Sequence, residues 1–374
     1  MKRHINYYFL GLSLALAAFG LLFLSTLSAI ASLRSFGNTN YYLFHQLTSL
    51  AIGLILGFIA FKIPLSFLKK VAPVMLLVNL LALALVFLPV VGVKFWGASR
   101  WIGIGKNTIQ PSEFFKITAV IYLSSWLASK FSGHSKKGWI STVKKGYNNI
   151  THALLPFVVF LGIITLLFYF QRDISTLGIT IVALLCVYFM AKTPLWHTVA
   201  LVAAGMGGIL LLVVFEPYRL SRLLTFLHPE ADPLGRGLQL KQSLIAVGSG
   251  GIFGEGLGMS TQKFGFLPEA MSDSIFAILG EETGMIGCVI LVMLFVWFLW
   301  LGFKIARGAH DTFAKLTAVG ITTWIVFQSF INIASTIGMF PLSGIPLPFF
   351  SYGGSHIIAE MIGVGLLLNI SKNG

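Results

Sequence analysis

Several groups of residues in this chain have the types and spacing for chemistry. The first is Pro268-Glu-Ala-Met-Ser-Asp273-Ser-Ile-Phe-Ala. Proline suits the first turn of a helix, and a helix from Pro268 makes Glu269 and Asp273 neighbours on one face. Such a helix runs into an apolar stretch and leaves Asp273 at a boundary between water and membrane. A partly desolvated carboxylate has a raised pKa and suits a general base. The bland reading of the same acids is capping of free backbone N–H groups at a helix start.

A second cluster joins Gly97-Ala-Ser-Arg-Trp-Ile102 to Gln110-Pro-Ser-Glu-Phe-Phe-Lys116. Arg100 is a fixed cation beside an interfacial aromatic and suits bidentate binding of phosphate. Glu113 and Lys116 stand i,i+3, so they serve either a site or a plain helix-end ion pair. Charge inside an apolar run, as at Lys116, is expensive unless compensated. Gln171-Arg-Asp173 is a tight turn in which Asp173 either caps the next helix or faces a site. Arg219 and Arg222, followed by Lys241-Gln242-Ser243, could hold a diphosphate or lipid headgroups, or merely snorkel.

Ser351-Tyr-Gly-Gly-Ser355 follows Pro346-Leu-Pro348. Non-helical backbone at membrane depth is tolerated only where it is buried in protein or lines a cavity, which points to a cavity mouth. Glu360 lies within an apolar segment, where an acid is functional by default, yet it has no obvious partner in the sequence. The glycines from Gly248 to Gly258 fit neither a phosphate loop nor a dinucleotide fingerprint, and read as tight turns packing a re-entrant or surface loop. The eight His show no metal-ligand spacing. Cys186 and Cys288 sit in apolar runs and read as small core residues. No metal or cofactor is implied.

The elements that must position these residues are membrane helices. Of 374 residues, 56% are hydrophobic and only 10% charged, against about 25% charged in ordinary soluble domains. That excludes a soluble globular domain, and it excludes disorder, which needs low hydrophobicity. A membrane-crossing helix needs about 20 mainly apolar residues. Ten candidates run over about 8–31, 43–62, 71–91, 113–130, 152–170, 174–191, 195–215, 284–303, 313–339 and 351–370. The first is too long for a secretory leader and is read as retained.

The net charge of +14 then has an explanation without nucleic acid. With the N-terminus inside, the inner loops collect Lys2, Arg3, Lys62, Lys69, Lys70, Lys130 and further cations out to Lys372, fifteen in all. This bias places both termini in the cytoplasm. The fold expected is all-α, ten spans, N-in and C-in. One large outer loop, about 216–283, separates helices seven and eight, in a single membrane domain over 1–374. Ten of the twelve acids then fall on the outer side; Asp311 is inside and Glu360 mid-span. The Asn149-Ile-Thr151 sequon lies on the inner side.

Several motifs in order resemble the SEDS family (shape, elongation, division and sporulation). They are Gly97-Ala-Ser-Arg-Trp-Ile, Gln110-Pro-Ser-Glu, the Asp232-Pro loop, Phe266-Leu-Pro-Glu-Ala-Met-Ser-Asp, Gly280-Glu-Glu-Thr-Gly and Pro346-Leu-Pro-Phe-Phe-Ser-Tyr-Gly-Gly-Ser. The resemblance covers essentially the whole chain. Tyr218-Arg-Leu-Ser-Arg222, Thr225-Phe-Leu-His-Pro-Glu-Ala-Asp-Pro233 and Gly256-Leu-Gly-Met-Ser-Thr-Gln-Lys263 look closer to the division branch, FtsW, than to the elongation branch, RodA.

The resemblance implies a ten-span peptidoglycan glycosyltransferase of the bacterial cytoplasmic membrane. Such enzymes polymerise lipid II on the extracytoplasmic face, in complex with a class B penicillin-binding protein and with other division proteins. The family's essential acid maps onto Asp273. The family usually reads His-Thr-Asp there, and this chain reads Met271-Ser272-Asp273. The usual Ser-Ser after Gly-Gly is Ser355-His356. On this reading Asp273 is the base, Arg100, Arg219, Arg222, Lys241 and Gln242 hold the diphosphate, and Glu113, Lys116, Asp173, Glu269 and Ser355 position or pair. Two other readings stay open: a lipid II flippase, which calls for mid-membrane charge and repeats, and a scaffold that recruits division partners and does not need Asp273.

Overall fold

The computed structural model describes residues 5–95, 98–105, 107–131, 153–191, 193–215, 217–232 and 235–374. The Asn149 sequon and several of the inner-loop cations lie outside them. The described helices are α1 (Tyr7–Phe36), α2 (Tyr41–Lys62), α3 (Leu65–Leu85), α4 (Pro111–Phe131), α5 (Leu155–Phe170), α6 (Ile174–Met190), α7 (Leu195–Phe215), α8 (Pro217–Leu227), α9 (Arg236–Ser249), α10 (Ile275–Gly308), α11 (Thr312–Thr336) and α12 (Gly354–Asn373). Among the described residues, six of these, α1, α2, α3, α10, α11 and α12, are long and apolar enough to cross a membrane. The chain is a multi-pass membrane protein. Each of the ten spans read from the sequence falls on a helix, with the ends shifted.

One feature departs from the all-α expectation. The connection from α3 to α4 carries a three-stranded antiparallel sheet: β1 (Gly92–Phe95), β2 (Ala98–Ile104) and β3 (Asn107–Ile109). Its register pairs Val93 with Trp101 and Ile102 with Ile109, bulky β-branched and aromatic residues that suit a pleated surface. The loop 216–283 also contains helices α8 and α9.

The span expected from 284 begins earlier, at Ile275, and 284 marks a break within it. Gly284 has φ 64° and interrupts the helix. Beyond it, Met285 N and Ile286 N donate to Gly251 O and Ile252 O, while Glu255 N and Gly256 N donate to Glu281 O and Glu282 O. The helical ladder is diverted onto the glycine loop. Gly251, Gly254, Gly256 and Gly258 all have positive φ there, a conformation open to glycine at no steric cost.

α11 is the central post: 83% of its most apolar window is buried. It packs against α4, α6, α10 and α12. α2 and α12 run closely together. A Cβ on Gly365 would strike the Gly57 carbonyl, and Asn369 Nδ2 donates to Ala60 O and Ile63 O at the end of α2. Small residues at such a crossing let backbones approach and gain dispersion contacts, which drive association where no water is expelled.

Candidate active site

The helix expected from Pro268 does not form there. Glu269 takes a left-handed φ of 51°, and its carbonyl accepts from both Ser272 N and Ser274 N at 3.1 Å. The Asp273 carbonyl accepts from Asn332 Nδ2 on α11 at 2.8 Å. These bonds engage the carbonyls that an earlier helix start would use. Glu269 and Asp273 therefore face each other across a turn rather than along a helix face. Ser272 Oγ donates to the Glu269 carboxylate at 2.6 Å.

The turn is tied to the 346–353 loop. Ser351 Oγ donates to Ser272 O at 2.5 Å, and Tyr352 N donates to Met271 O at 2.8 Å. Gln46 of α2 holds that loop in turn, through Ser351 O and Gly353 N. Asn332 Nδ2 also donates to Ile345 O at 2.7 Å, and Gly344 lies against the Asp273 carboxylate. From α9, Gln239 donates to Ser274 Oγ at 3.0 Å. Elements far apart in sequence thus converge on one carboxyl group.

Asp273 keeps part of its surface open, yet protein atoms crowd its carboxyl group. Burial is the main reason its pKa is raised to about 7, and the neighbouring Glu269 carboxylate adds to it. Arg100, Arg222 and His356 oppose the rise. The result is one carboxyl that changes charge near neutrality, with two guanidinium groups in its field.

The second sequence cluster assembles beside it. Arg100 Nη1 lies 3.9 Å from Asp173 Oδ1, and Arg100 also donates to the Arg172 carbonyl. Thr176 Oγ1 donates to Asp173 at 2.9 Å, with Ser112 and Gln110 at 3.4 and 3.5 Å. Asp173 precedes α6, but its side chain caps no backbone N–H; it gathers side chains instead. Ser355 Oγ accepts from Gln110 N at 3.0 Å, joining the start of α12 to the start of α4.

Glu113 and Lys116 are deeply buried, at 3% and 1% exposure. Lys116 Nζ lies 2.8 Å from Glu113 Oε2 and 2.8 Å from Gln328 Oε1. Its ammonium also sits 5.0 Å from the Trp324 ring centroid. Gln328 Nε2 continues to Pro346 O at 3.0 Å, so this pair reaches the same loop that carries Asp273's partners. Glu360, partnerless in sequence, is paired with His356 at 3.1 Å. Charge within the membrane helices is therefore more than Glu360 alone.

Other candidates lie further out. Lys241 is exposed and Gln242 half-buried on α9, and neither bonds to the Asp273 turn. Arg222 lies on α8 within the field of Asp273. Arg219 is on the same helix, and its side chain falls outside the described residues. Glu281 and Glu282 brace the glycine loop. Glu281 accepts from Thr261 N and Oγ1 at 2.9 Å, and Glu282 from Gly258 N at 2.9 Å and Lys263 Nζ at 3.2 Å. Sequence reasoning missed Gln46, Gln328 and Asn332. Their signal was visible: Gln328 and Asn332 are two amides one helical turn apart in a candidate span.

A family model described as cell cycle protein, covering FtsW, RodA and SpoVE, matches residues 7–374. Stage V sporulation protein E of Bacillus subtilis is 37% identical over 96% of this chain and 95% of its own. A protein of Coxiella burnetii named "Probable peptidoglycan glycosyltransferase FtsW" is 37% identical over 96% and 94%. A solved chain from a peptidoglycan synthase complex that coordinates polymerization and crosslinking superposes with a TM-score of 0.74 at 24% identity, over 99% of this chain and 98% of that one. The rod shape determining protein RodA of Thermus thermophilus superposes at 0.70 and 23% identity, over 99% and 98%.

Proposed function

The chain belongs to the FtsW/RodA/SpoVE family, and from that premise we propose a specific activity for it: polymerisation of lipid II into glycan strands, as a peptidoglycan glycosyltransferase. The observation that carries the chemistry is the Asp273 carboxyl, held at the mouth of the helical bundle with a pKa of about 7 and two arginines in its field. A base of that strength suits proton removal near neutral pH.

The reaction we infer is a single displacement at each transfer. The incoming sugar's 4-hydroxyl oxygen attacks the anomeric carbon of the lipid-linked chain, and Asp273 takes the hydroxyl proton. The bond from that carbon to the lipid diphosphate breaks, and the diphosphate leaves with the electron pair. A diphosphate is a good leaving group and needs no strong acid. Arg100 and Arg222, both in the field of Asp273, bind its charge in this scheme, and Arg219 and Lys241 supply further cations. Asp173, itself held by Gln110, orients Arg100. No cofactor enters this scheme.

The surrounding assignments belong to the same proposal. The 374 residues form one membrane domain of ten spans, both termini cytoplasmic, in the bacterial cytoplasmic membrane. The site faces the extracytoplasmic side, where the ten acids gather. The partner is a class B penicillin-binding protein, acting with other division proteins, and the division role is favoured over elongation by the 218–233 and 256–263 segments.

The test is reconstitution of the protein with a class B transpeptidase and lipid II. Wild type should yield long strands and Asp273→Ala none. Undiminished strands from Asp273→Ala would remove the acid from the mechanism. No strands from wild type, together with lipid II scrambling in vesicles, would replace the enzyme with a flippase.

A further inference from the structure

The buried pair on α12 has no role in the scheme above, and the inference drawn from it rests on that glycosyltransferase reading. His356 and Glu360 are one helical turn apart and 4% and 1% exposed. His356 Nδ1 meets Glu360 Oε1 at 3.1 Å. The other carboxylate oxygen accepts from Phe349 N at 2.8 Å. Phe349 has a φ of 67°, a conformation that a bulky residue keeps only where its surroundings over-determine it. Glu360 is one of those surroundings. α1 is another, since a Cβ on Gly20 would lie 2.8 Å from Phe350 Cα.

The turn so held leads directly to the site. Two and three residues beyond Phe349, Ser351 and Tyr352 bond to Ser272 and Met271, the two residues before Asp273. The imidazole sits under the same loop: a Cβ on Gly353 would lie 2.5 Å from His356 Cδ2 and 2.8 Å from Nε2. That Nε2 is buried and has no hydrogen-bond partner among the described residues. A buried polar atom left unbonded carries a desolvation cost.

The charged groups around the imidazole are few. Glu360 is on its own helix, Glu113 and Lys116 face it from α4, and Asp273 lies on the adjoining turn with Arg100, Arg222 and Glu269 around it. Glu113 and Lys116 are paired with each other, so Glu360, in hydrogen-bond contact with the ring, is the carboxylate left to the imidazole.

We propose that His356 and Glu360 are a positioning pair for Asp273. Glu360 locks the Phe349 turn that carries the Asp273 loop, and His356 fixes the Glu360 carboxylate that makes that bond. The pair touches no reacting atom. It sets where the base stands and how closely the protein packs about its carboxyl group.

Polymerisation of lipid II, in complex with the transpeptidase, is measured from about pH 5.5 to about pH 9. Wild type, Asp273→Ala, Glu360→Gln and the double variant His356→Gln/Glu360→Gln are compared. An inactive wild type, or an active Asp273→Ala, sinks the parent reading and is distinct from failure of the pair. With that control passed, both Gln variants should move the acid limb to lower pH by about half a unit, because a released turn opens the Asp273 carboxyl to water and burial is the main reason its pKa is raised. Glu360→Gln should also lower the plateau, because one amide oxygen cannot serve both His356 and Phe349 N–H. An unmoved limb in both variants overturns the proposal, including the case of a uniform loss at every pH, which a purely structural role would produce. If the double variant fails to fold by size exclusion, the limb of Glu360→Gln alone decides.

Discussion

Asn332 holds Asp273 from behind: its Nδ2 lies 2.8 Å from the Asp273 carbonyl oxygen and 2.7 Å from Ile345 O. One amide nitrogen thus fixes the acid and the loop facing it to the central helix. Asn332→Ala removes the donor and leaves two carbonyls without it. Loss of such a bond costs about 1–3 kcal/mol in stability, whereas a 1 Å displacement of a reacting group costs about 100-fold in rate. The expected outcome is a polymerisation rate down by about 100-fold with a modest drop in melting temperature. A variant with wild-type rate would show that the tether does not set the position of Asp273.

The pH dependence follows from the raised pKa of Asp273. Its folded value, about 7, exceeds the ordinary carboxylate value, so the folded state holds the proton more tightly than the unfolded one. Stability from this group is present in acid and is lost as pH rises through about 7. The rate runs the other way, because the base must be ionised. Glu269→Gln removes the like charge across the turn, so the acid limb of the rate profile should move to lower pH. A limb that stays in place would mean that burial alone sets the shift.

The Glu113–Lys116 pair offers a test by melting. Breaking a buried pair by removing one partner costs about 3–5 kcal/mol, while replacing both with neutral groups is often close to harmless. Lys116→Met should therefore lower the melting temperature sharply, and Glu113→Gln/Lys116→Met should recover much of it. Gln328 complicates the recovery slightly, since its Oε1 also accepts from Trp324 Nε1 at 2.9 Å. Equal melting of the single and double variants would mean that the pair is solvated in the working protein.

Apolar run length was enough to find the long helices, among them the six described ones long and apolar enough to cross a membrane, because a span needs a long and mostly uncharged stretch. The small sheet at 92–109 was not legible: β1 and β3 are too short for periodicity to report, and β2 shows no clean alternation of apolar and polar residues. The start of α10 was misplaced because a helix reading of Pro268 ignores where carbonyls go, and Asn332, some sixty residues later, claims that of Asp273. Asp273, Arg100 and Asp173 were legible as types of residue with chemistry to offer. Their convergence was not, since it depends on the Ser351–Ser272 and Arg100–Asp173 contacts between segments with no shared pattern. Glu360 shows the limit most clearly. Its partner, His356, is only four residues away, but the pairing matters through the backbone of Phe349, which no spacing rule reaches.

The break at Gly284 is the last point that variants can decide. With φ at 64°, Gly284 lets the chain leave helical geometry and present Glu281, Glu282, Met285 and Ile286 to the 251–256 segment. A Cβ there would meet Ile252 O at 2.5 Å as well as the Gly254 backbone, and the left-handed φ would be strained for any L side chain. Gly284→Ala should therefore push the two segments apart. The amides of Glu255 and Gly256, which donate to Glu281 O and Glu282 O, should lose hydrogen-exchange protection, while those of α11 stay protected. Asp273 sits two residues before the start of the same helix, so polymerisation should fall as well. Unchanged protection at Glu255 and Gly256 would show that the helix break survives without glycine and is imposed by the loop rather than by the residue.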